Sequence, residues 1–478
     1  MSSWETVVGL EVHCQLGTKT KLFCGCPASS FGKPANVAVC PVCTGQPGVL
    51  PVLNRAAVEL AFSAALALEC RLAERSVFAR KNYFYPDLPK GYQISQYELP
   101  YSRDGKLAIP GKTVGIHRIH MEEDAGKLLH AIGSEELPYS LVDFNRAGVP
   151  LIEIVSEADM RSPDEAFEYL TALKAILQYA GISRCDMEKG ELRCDANVSV
   201  RRPGAPLGTK VEIKNLNSFK AVRDAIAYEV DRQSAALEGG GSIVQETRQW
   251  DAAAGRTAPM RSKEEAHDYR YFPEPDLVPL AAEEDWVGRL AAALPELPAA
   301  LRARFAAQHG LSAYDAEVMT SSRELARYFE AVVGALPGGQ AKAAANWIQS
   351  DFLAKVNEHK LTPASAPVGP GRLAEIVALV TSGAVSGKAA KDVFVKAWET
   401  GRGPAELVAE LGLAQVSDEA AVGTWVEEAI AENKQAAADV RAGRQQAVGA
   451  LVGAVMKRSR GKANPALVNR LIKEKLAS

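Results

Sequence analysis

The chain has 478 residues, of which 47% are hydrophobic and 24% are charged, so it can bury a core and is neither disordered nor collagen-like. Its formal net charge of −3 excludes a uniformly basic surface for binding nucleic acid and permits only a local basic patch. The length favours about three domains, and no apolar run reaches the roughly 18 residues that a membrane span needs.

The N-terminal part, to about residue 290, predicts a mostly antiparallel sheet with occasional helices. Its short alternating runs are separated by Gly, Pro and Asn, which is typical of strands joined by turns. Residues 191–201 are the best example, because every second residue is apolar and the residues between them are polar. The apolar face of this predicted strand consists of Leu192, Cys194, Ala196, Val198 and Val200.

Two helices interrupt the sheet pattern. Ser162 followed by Pro163 is a helix-start signal, and the predicted helix ends at Gly181. A second helix is predicted from Ser218 to the glycines that begin at Gly239.

After Pro298 the composition changes to Ala, Leu, Glu and Arg at helical spacing, so this half is predicted to be all-helical. A Gly-Arg-Gly-Pro break at residues 401–404 marks a domain boundary nearby. Beyond it, basic residues outnumber the single acid Glu474 near the C-terminus. This surplus could bind RNA phosphates, or it could be a solvated helix face. The basic residues are Lys457, Arg458, Arg460, Lys462, Arg470, Lys473 and Lys475.

Four cysteines within 20 residues form the sharpest local motif. Cys24-x-Cys26 and Cys40-Pro-Val-Cys43 are two close pairs on Gly- and Pro-rich turns, which is the ligand spacing of tetrahedral zinc. We predict a structural Zn²⁺ site, because four thiolates leave no open coordination position. The alternative is four unrelated thiols.

A second constellation is acidic. Glu11 and His13 are two residues apart in an apparent strand, so their side chains project to the same side. In residues 116–124 the same alternation places Arg118, His120 and Glu122 together.

Glu153 adds a carboxylate inside the otherwise apolar run at residues 151–155. Carboxylate oxygens are the ligands that Mg²⁺ prefers, and Mg²⁺ keeps positions for water and substrate phosphate. The residues that could jointly hold Mg²⁺ are Glu11, His13, Glu122 and Glu153. The residues alone favour the alternative, in which each acid forms a salt bridge with an arginine.

Residues 80–92 combine tyrosines with basic residues, including Lys81 and Tyr83, a composition suited to stacking bases and holding phosphates. A packed aromatic loop explains the same composition equally well. No P-loop motif occurs, and no Gly/Ser-rich stretch resembles those of amidases.

These residues carry a family resemblance. The matching motifs lie at residues 5–13, 80–87, 120–127, 150–157, 192–197 and 268–276, and the sixth of them is Asp-Tyr-Arg-Tyr-Phe-Pro-Glu-Pro-Asp. The chain resembles the GatB family, whose members are B subunits of the bacterial tRNA-dependent amidotransferase GatCAB. The resemblance runs from residue 4 to about residue 278 in long motifs and continues more loosely through the helical half.

The resemblance implies an α+β fold with three domains: a mostly antiparallel catalytic cradle domain at 1–292, a helical domain at 293–405, and a small YqeY-like tail domain at 406–478. It implies ATP-dependent activation of the side-chain carboxylate of Glu-tRNA(Gln) or Asp-tRNA(Asn), followed by amidation with ammonia. Which of the two routes is used depends on the accompanying synthetases.

The resemblance also implies roles for the residues above. Glu11, His13, Glu122 and Glu153 would line the Mg²⁺ and kinase-like site, with Glu123 and Asp124 as further possible ligands. Lys81 and Tyr83 would contact nucleotide or substrate. The basic tail would contact tRNA. The implied partners are a GatA-like glutaminase subunit, which supplies the ammonia through a channel, and a GatC-like small subunit.

Two other functions are open at this point. One is a non-catalytic zinc-bearing scaffold subunit that binds tRNA, and the other is a stand-alone synthetase that uses free ammonia. The N-terminus lacks the basic-then-apolar form of a signal peptide, so we expect a cytoplasmic protein without membrane contact.

Overall fold

A computed structural model describes residues 4–29, 31–133, 135–262, 266–416, 418–442, 444–459 and 461–477. The chain divides into two units, Met1–Leu297 and Pro298–Ser478. The predicted three-domain division, with boundaries near residues 293 and 406, stays a prediction.

The first unit combines strands with four long helices among its described residues. The helices are α1 (Arg55–Ala67), α2 (Pro163–Tyr179), α3 (Phe219–Glu238) and α4 (Glu284–Ala293). The strands are β1 (Glu5–Gln15), β2 (Arg71–Leu72), β3 (Arg75–Ser76), β4 (Ala79–Asn82), β5 (Tyr92–Ser95), β6 (Ser102–Ile109), β7 (Lys112–Glu123), β8 (Lys127–Ile132), β9 (Glu135–Asp143), β10 (Pro150–Ser156), β11 (Leu192–Arg201), β12 (Val211–Lys214), β13 (Glu246–Asp251), β14 (Arg256–Ser262), β15 (Phe272–Pro273) and β16 (Leu280–Ala281).

Both helices predicted from their caps are confirmed. The Ser162 side chain accepts a hydrogen bond from the Glu165 backbone N–H at 3.1 Å, with proline at the first helical position of α2. Ser218 caps α3 in the same way, with a 3.0 Å hydrogen bond from the Ala221 backbone N–H. These side chains satisfy N–H groups that the first helical turn leaves without partners.

Nine strands of the described residues form one sheet, in the order β14-β13-β12-β11-β1-β10-β7-β6-β2. Neighbouring strands are antiparallel except β12 and β13, which are parallel. The predicted fold class, α+β with a mostly antiparallel sheet, is therefore confirmed. The sheet centre is the antiparallel group β11-β1-β10-β7.

The two faces of this sheet differ because the strands alternate. On β1, Val8, Leu10 and Val12 are at most 1% exposed and pack in a core that includes residues of α1, α2 and α3. Burying each of these side chains contributes about 1.5–3 kcal/mol. Glu11 and His13 therefore project from the opposite face of the sheet. The predicted apolar face of β11 is likewise buried.

The described part of the second unit is helical, as predicted. Its helices are α5 (Pro298–His309), α6 (Ala313–Met319), α7 (Arg323–Gly334), α8 (Ala341–Trp347), α9 (Leu353–Glu358), α10 (Pro370–Thr381), α11 (Gly387–Thr400), α12 (Pro404–Glu410), α13 (Glu419–Glu432), α14 (Lys434–Arg441), α15 (Val448–Arg458) and α16 (Pro465–Ala477). A π-helical turn, Ile348–Phe352, joins α8 to α9. The helices α13 to α16 share a separate apolar core that includes Val426, Leu451 and Ile472.

Among the described residues, every helix is too short or too polar to cross a lipid bilayer.

Candidate active site and metal centres

The register of three central strands brings distant polar residues into one row. His13 on β1 lies opposite Glu153 on β10, and Glu153 lies opposite His120 on β7. Directly paired residues of antiparallel strands project to the same face, so the three side chains meet on the face away from the helices. Glu122 lies two residues after His120 on β7 and therefore joins them.

The four side chains form what we call the acid–histidine cluster: His13, His120, Glu122 and Glu153. One Glu153 oxygen lies 3.4 Å from His13 Nε2 and 3.3 Å from His120 Nε2. The two Glu122 oxygens lie 3.8 Å from the same two nitrogen atoms, one each. Two carboxylates thus bracket two imidazoles.

Burial makes the electrostatics of the cluster strong. Glu122 is 3% and Glu153 is 9% exposed, and water therefore screens their charges poorly. Burial alone lowers the pKa of His120, but the carboxylates of Glu153 and Glu122 outweigh it and raise the pKa to about 9. Burial raises the pKa of Glu153, and the two histidines outweigh it and hold that pKa well below its ordinary value.

The cluster fits a hard divalent cation. One ligand atom from each of His13, Glu122 and Glu153 lies within 4.8 Å of the other two. Opposite ligands of an octahedral Mg²⁺ are about 4.2 Å apart, because each metal–oxygen distance is about 2.1 Å. The donor set is therefore of the right chemistry and spacing. Two buried carboxylates within 4.8 Å of each other also favour a cation between them.

Glu11 lies beside the cluster rather than in it. Its carboxylate accepts a 2.9 Å hydrogen bond from Asn197 Nδ2, and it is not one of the three residues whose ligand atoms converge. It does line the same cavity as the cluster. Three of the four predicted Mg²⁺ residues therefore meet within ligand distance, and the fourth faces the same space.

This space, which we call the sheet-face cavity, has a volume of about 250 Å³. Aromatic rings form part of its wall, with Tyr97 and Tyr271 stacked at a centroid distance of 4.3 Å. Lys81 also lines it, and the Lys81 Nζ lies 4.6 Å from the centre of the Tyr269 ring. Tyr83, the other predicted nucleotide or substrate contact, is not among the described lining residues and directs its hydroxyl towards Gln93 at 3.5 Å.

The cavity contains polar residues that the sequence did not single out as site residues. His120 is one, although its alternation with Glu122 was visible, because a lone histidine in a strand is more often part of a packed core. Asp195 and Lys214 are two more, joined by a 2.6 Å ion pair across β11 and β12. The polar face of residues 191–201 was the signal that could have found Asp195.

Only the first of the three successive acids at residues 122–124 belongs to the cluster. Glu123 forms an ion pair with Lys90 and accepts a 3.0 Å hydrogen bond from the Ile94 backbone N–H. Asp124 accepts a 3.0 Å hydrogen bond from Arg193 Nη2. These two carboxylates are neutralised by cations, whereas Glu122 remains in the cluster.

The four predicted zinc ligands also converge. One sulfur atom from each of Cys24, Cys26, Cys40 and Cys43 lies within 4.8 Å of the others, and the sulfur atoms of Cys40 and Cys43 are 3.9 Å apart. Two sulfur ligands of a tetrahedral Zn²⁺ are about 3.8 Å apart, because each Zn–S distance is about 2.3 Å. This cysteine cluster therefore fits zinc in both donor chemistry and spacing.

A buried lysine lies against the cysteine cluster. Lys21 is 0% exposed, and its Nζ donates to the Cys43 sulfur at 3.4 Å and to the Phe144 carbonyl oxygen at 3.5 Å. Fully buried lysines are rare unless they are paired with negative charge. A cluster of thiolates around a divalent metal would supply that charge.

The basic tail is less positive than its sequence indicates. Arg458 and Arg470 form ion pairs with acidic residues, namely Glu428, Glu432, Glu419 and Glu474. Arg460, predicted to contact tRNA, lies outside the described residues. The remaining predicted contacts are exposed and form no ion pair with any residue that the structure describes; these are Lys457, Lys462 and Lys473.

Comparison with known proteins identifies the family of the chain. Residues 6–288 match the GatB/GatE catalytic domain family, and residues 327–476 match the GatB domain family. The chain is 54% identical to the B subunit of the aspartyl/glutamyl-tRNA(Asn/Gln) amidotransferase from Moorella thermoacetica, over 99% of this chain and 100% of that protein. It is 52% identical to the B subunit of the same amidotransferase from Carboxydothermus hydrogenoformans, over the full length of both. The chain therefore belongs to the GatB/GatE family, as its motifs predicted.

Proposed function

We propose that this chain is the transamidase subunit of a tRNA-dependent amidotransferase. It converts Glu-tRNA(Gln) or Asp-tRNA(Asn) into Gln-tRNA(Gln) or Asn-tRNA(Asn), with ATP and ammonia as the other substrates. The observation that supports this most is the acid–histidine cluster, which lies in a cavity that also contains basic and aromatic side chains. The names of its full-length relatives point to the same reaction.

The reaction needs two displacements. A carboxylate is a poor acceptor for ammonia because oxide is a bad leaving group. An oxygen of the side-chain carboxylate first attacks the γ-phosphorus of ATP, which releases ADP and forms an acyl phosphate. Ammonia then attacks the carbonyl carbon, the C–O bond to phosphate breaks, and inorganic phosphate leaves with one of the original carboxylate oxygens.

His13, Glu122 and Glu153 are the residues that would hold Mg²⁺, with Glu11 facing the same space. When bound, Mg²⁺ would neutralise phosphate charge during the transfer. The chain itself contributes a poorly screened setting, because the carboxylates of Glu122 and Glu153 are only 3% and 9% exposed. His120 holds the Glu153 carboxylate at 3.3 Å and so fixes its orientation.

The cysteine cluster would hold a structural Zn²⁺ through Cys24, Cys26, Cys40 and Cys43. Its ligands are all thiols, so no position would remain for a substrate. Bound metal would tie the turn at residues 24–26 to the turn at residues 40–43. This turn region has few regular elements, so a bound metal would supply cross-links that strands and helices do not provide there.

The proposal includes partners. Ammonia would come from glutamine cleaved by a GatA-like glutaminase, since the sequence has no amidase-like stretch of its own, and a small GatC-like protein would complete the complex. The exposed lysines of the tail, Lys457, Lys462 and Lys473, would contact tRNA phosphates, with Arg458, Arg460 and Arg470 as the other predicted contacts. A cytoplasmic location is part of the same proposal.

The test is Glu122→Ala in the reconstituted complex with ATP, glutamine and mischarged tRNA. We expect this variant to assemble and bind tRNA but to lose ATP turnover and amidation. The matched control is Glu157→Ala, which removes an exposed acid that pairs with His117 at 2.9 Å. Retained amidation in Glu122→Ala would favour a non-catalytic zinc-bearing tRNA-binding scaffold, and full activity of the isolated chain would favour a stand-alone synthetase.

A further inference from the structure

Arg118 lies in the sheet-face cavity without a partner among the described residues. It is on β7, two residues before His120 and four before Glu122, so it projects to the same face of the sheet. It lines the cavity, but it makes no hydrogen bond or ion pair with any described side chain, and its buried Nε–H has no acceptor. A buried donor without an acceptor costs stability, which is tolerated where a ligand supplies the acceptor.

The other cations of the cavity differ in whether they are neutralised. Lys214 is paired with Asp195 at 2.6 Å and with Glu212 at 3.5 Å. Lys81 makes no ion pair with a described residue and lies over the Tyr269 ring. Arg118 and Lys81 are therefore the two described lining cations whose charge the protein itself does not offset.

The register places Arg118 next to the acid–histidine cluster. Arg118 lies opposite Val155 on β10, and His120, the next residue on the same face, lies opposite Glu153. Successive residues on one face of a strand are about 7 Å apart. A phosphate beside the cluster is therefore within reach of the long arginine side chain.

The aromatic wall of the same cavity indicates what carries the phosphate. Tyr271, stacked on Tyr97 at a centroid distance of 4.3 Å, lines the same cavity as Arg118. Stacked aromatic rings bind nucleobases, and the planar guanidinium fork binds phosphate through two hydrogen bonds. Base-binding and phosphate-binding groups thus line one cavity.

We propose that Arg118 binds the phosphate groups of the nucleotide substrate in the sheet-face cavity. This role rests on the proposed function, because it places ATP in that cavity. A phosphate oxygen in the cavity accepts hydrogen bonds from the guanidinium, whose Nε–H has no acceptor among the described residues. Arg118 is then a substrate-binding residue that contacts the phosphates of the nucleotide and not its base.

The experiment measures the affinity of the complete amidotransferase complex for the Mg²⁺ complex of the imido analogue of ATP by isothermal titration calorimetry. Arg118→Met should weaken binding about 10- to 100-fold, the loss expected for a hydrogen-bonded charge. Arg118→Lys should bind the analogue more weakly than the unaltered complex and more tightly than Arg118→Met. Lysine keeps the positive charge but cannot donate the two parallel hydrogen bonds of a guanidinium. The affinity for adenosine and for mischarged tRNA should not change.

The matched control is Arg103→Met. Arg103 lies directly opposite Arg118 on β6, but its guanidinium donates to the Glu98 carbonyl oxygen at 2.7 Å and it is not among the described lining residues. We expect this variant to bind the analogue like the unaltered complex, with thermal melts showing that both variants fold.

Three outcomes would overturn the proposal. Arg118→Met that binds the analogue like the unaltered complex excludes a phosphate contact. If Arg118→Met binds tRNA more weakly and the ATP analogue equally well, the guanidinium contacts RNA and not the nucleotide. An unaltered complex that binds no analogue refutes the nucleotide site itself, which separates a failure of the proposed function from a failure of the Arg118 assignment.

Discussion

Replacing Lys21 by methionine is predicted to weaken zinc binding while leaving the metal-free protein at least as stable as before. The Lys21 ammonium is fully buried and donates to the Cys43 sulfur at 3.4 Å. Four thiolates around one Zn²⁺ carry a double negative charge, which a nearby ammonium stabilises. Methionine keeps the length of the side chain and removes its charge, so the effect on zinc isolates the electrostatic contact.

The magnitude follows from this one contact. A hydrogen bond to a charged group contributes about 1.5–3 kcal/mol, and about 1.4 kcal/mol is a factor of ten in affinity. Loss of the contact should therefore weaken zinc binding about 10- to 100-fold, which is also the usual effect of removing an outer-shell partner of a metal. Without metal, the variant no longer buries an ammonium with few partners, so its unfolding free energy should not fall.

The assay is competition between the purified protein and a chromophoric zinc chelator, together with denaturant unfolding of the metal-free form. Lys19→Met is the matched control, because Lys19 is exposed and two residues away on the same segment. Equal zinc affinity of Lys21→Met and the unaltered protein would refute the contact. An unaltered protein that carries no zinc by elemental analysis would refute the metal site itself.

Three further predictions concern stability and tRNA binding. Leu170→Ala, at a fully buried position of α2, should lower the unfolding free energy by about 2–5 kcal/mol in denaturant titrations, and a loss below about 1 kcal/mol would argue against the described core. The ion pair with Lys342 lowers the pKa of Asp315 from 3.8, so this stabilisation is present above that pH and is lost as the pH falls through the lowered folded-state pKa. Asp315→Asn should therefore cost about 1–3 kcal/mol at pH 7 and progressively less in acid, and a cost independent of pH would refute the assignment. Replacing three tail lysines by glutamine, namely Lys457, Lys462 and Lys473, should weaken tRNA binding. It should also reduce the slope of log affinity against log salt concentration by about 2 to 3. Arg458→Gln should have a smaller effect, because Arg458 is already paired with Glu428.

Local patterns predicted the elements and their faces well. The alternation in residues 191–201 became β11 with one buried face, and the caps at Ser162 and Ser218 became helix starts. These features depend on residues that are close together in the chain, so local sequence patterns are enough to predict them. The family motifs then pointed to His13 and Glu153 before any contact between them was visible.

Contacts between distant segments were harder to predict. The alternation placed His120 beside Glu122, but only the strand order β1-β10-β7 shows that Glu153 lies between His13 and His120. Part of the surplus charge of the tail is offset by acids outside it: Arg458 meets Glu428, which is on another helix 30 residues earlier in the chain. Strand register determines the position of Glu153, and helix pairing determines the partner of Arg458. Local periodicity in the sequence predicts neither.

The most direct test of the proposed reaction follows the carboxylate oxygen. The complete complex is given ATP, ammonia and Glu-tRNA(Gln) whose side-chain carboxylate is labelled with oxygen-18, and the released phosphate is analysed by mass spectrometry. We predict one labelled oxygen in the phosphate with the unaltered protein and almost no labelled phosphate with Glu153→Gln. Unlabelled phosphate from the unaltered protein would contradict the acyl phosphate, and labelled phosphate from Glu153→Gln at the full rate would contradict the role of the acid–histidine cluster.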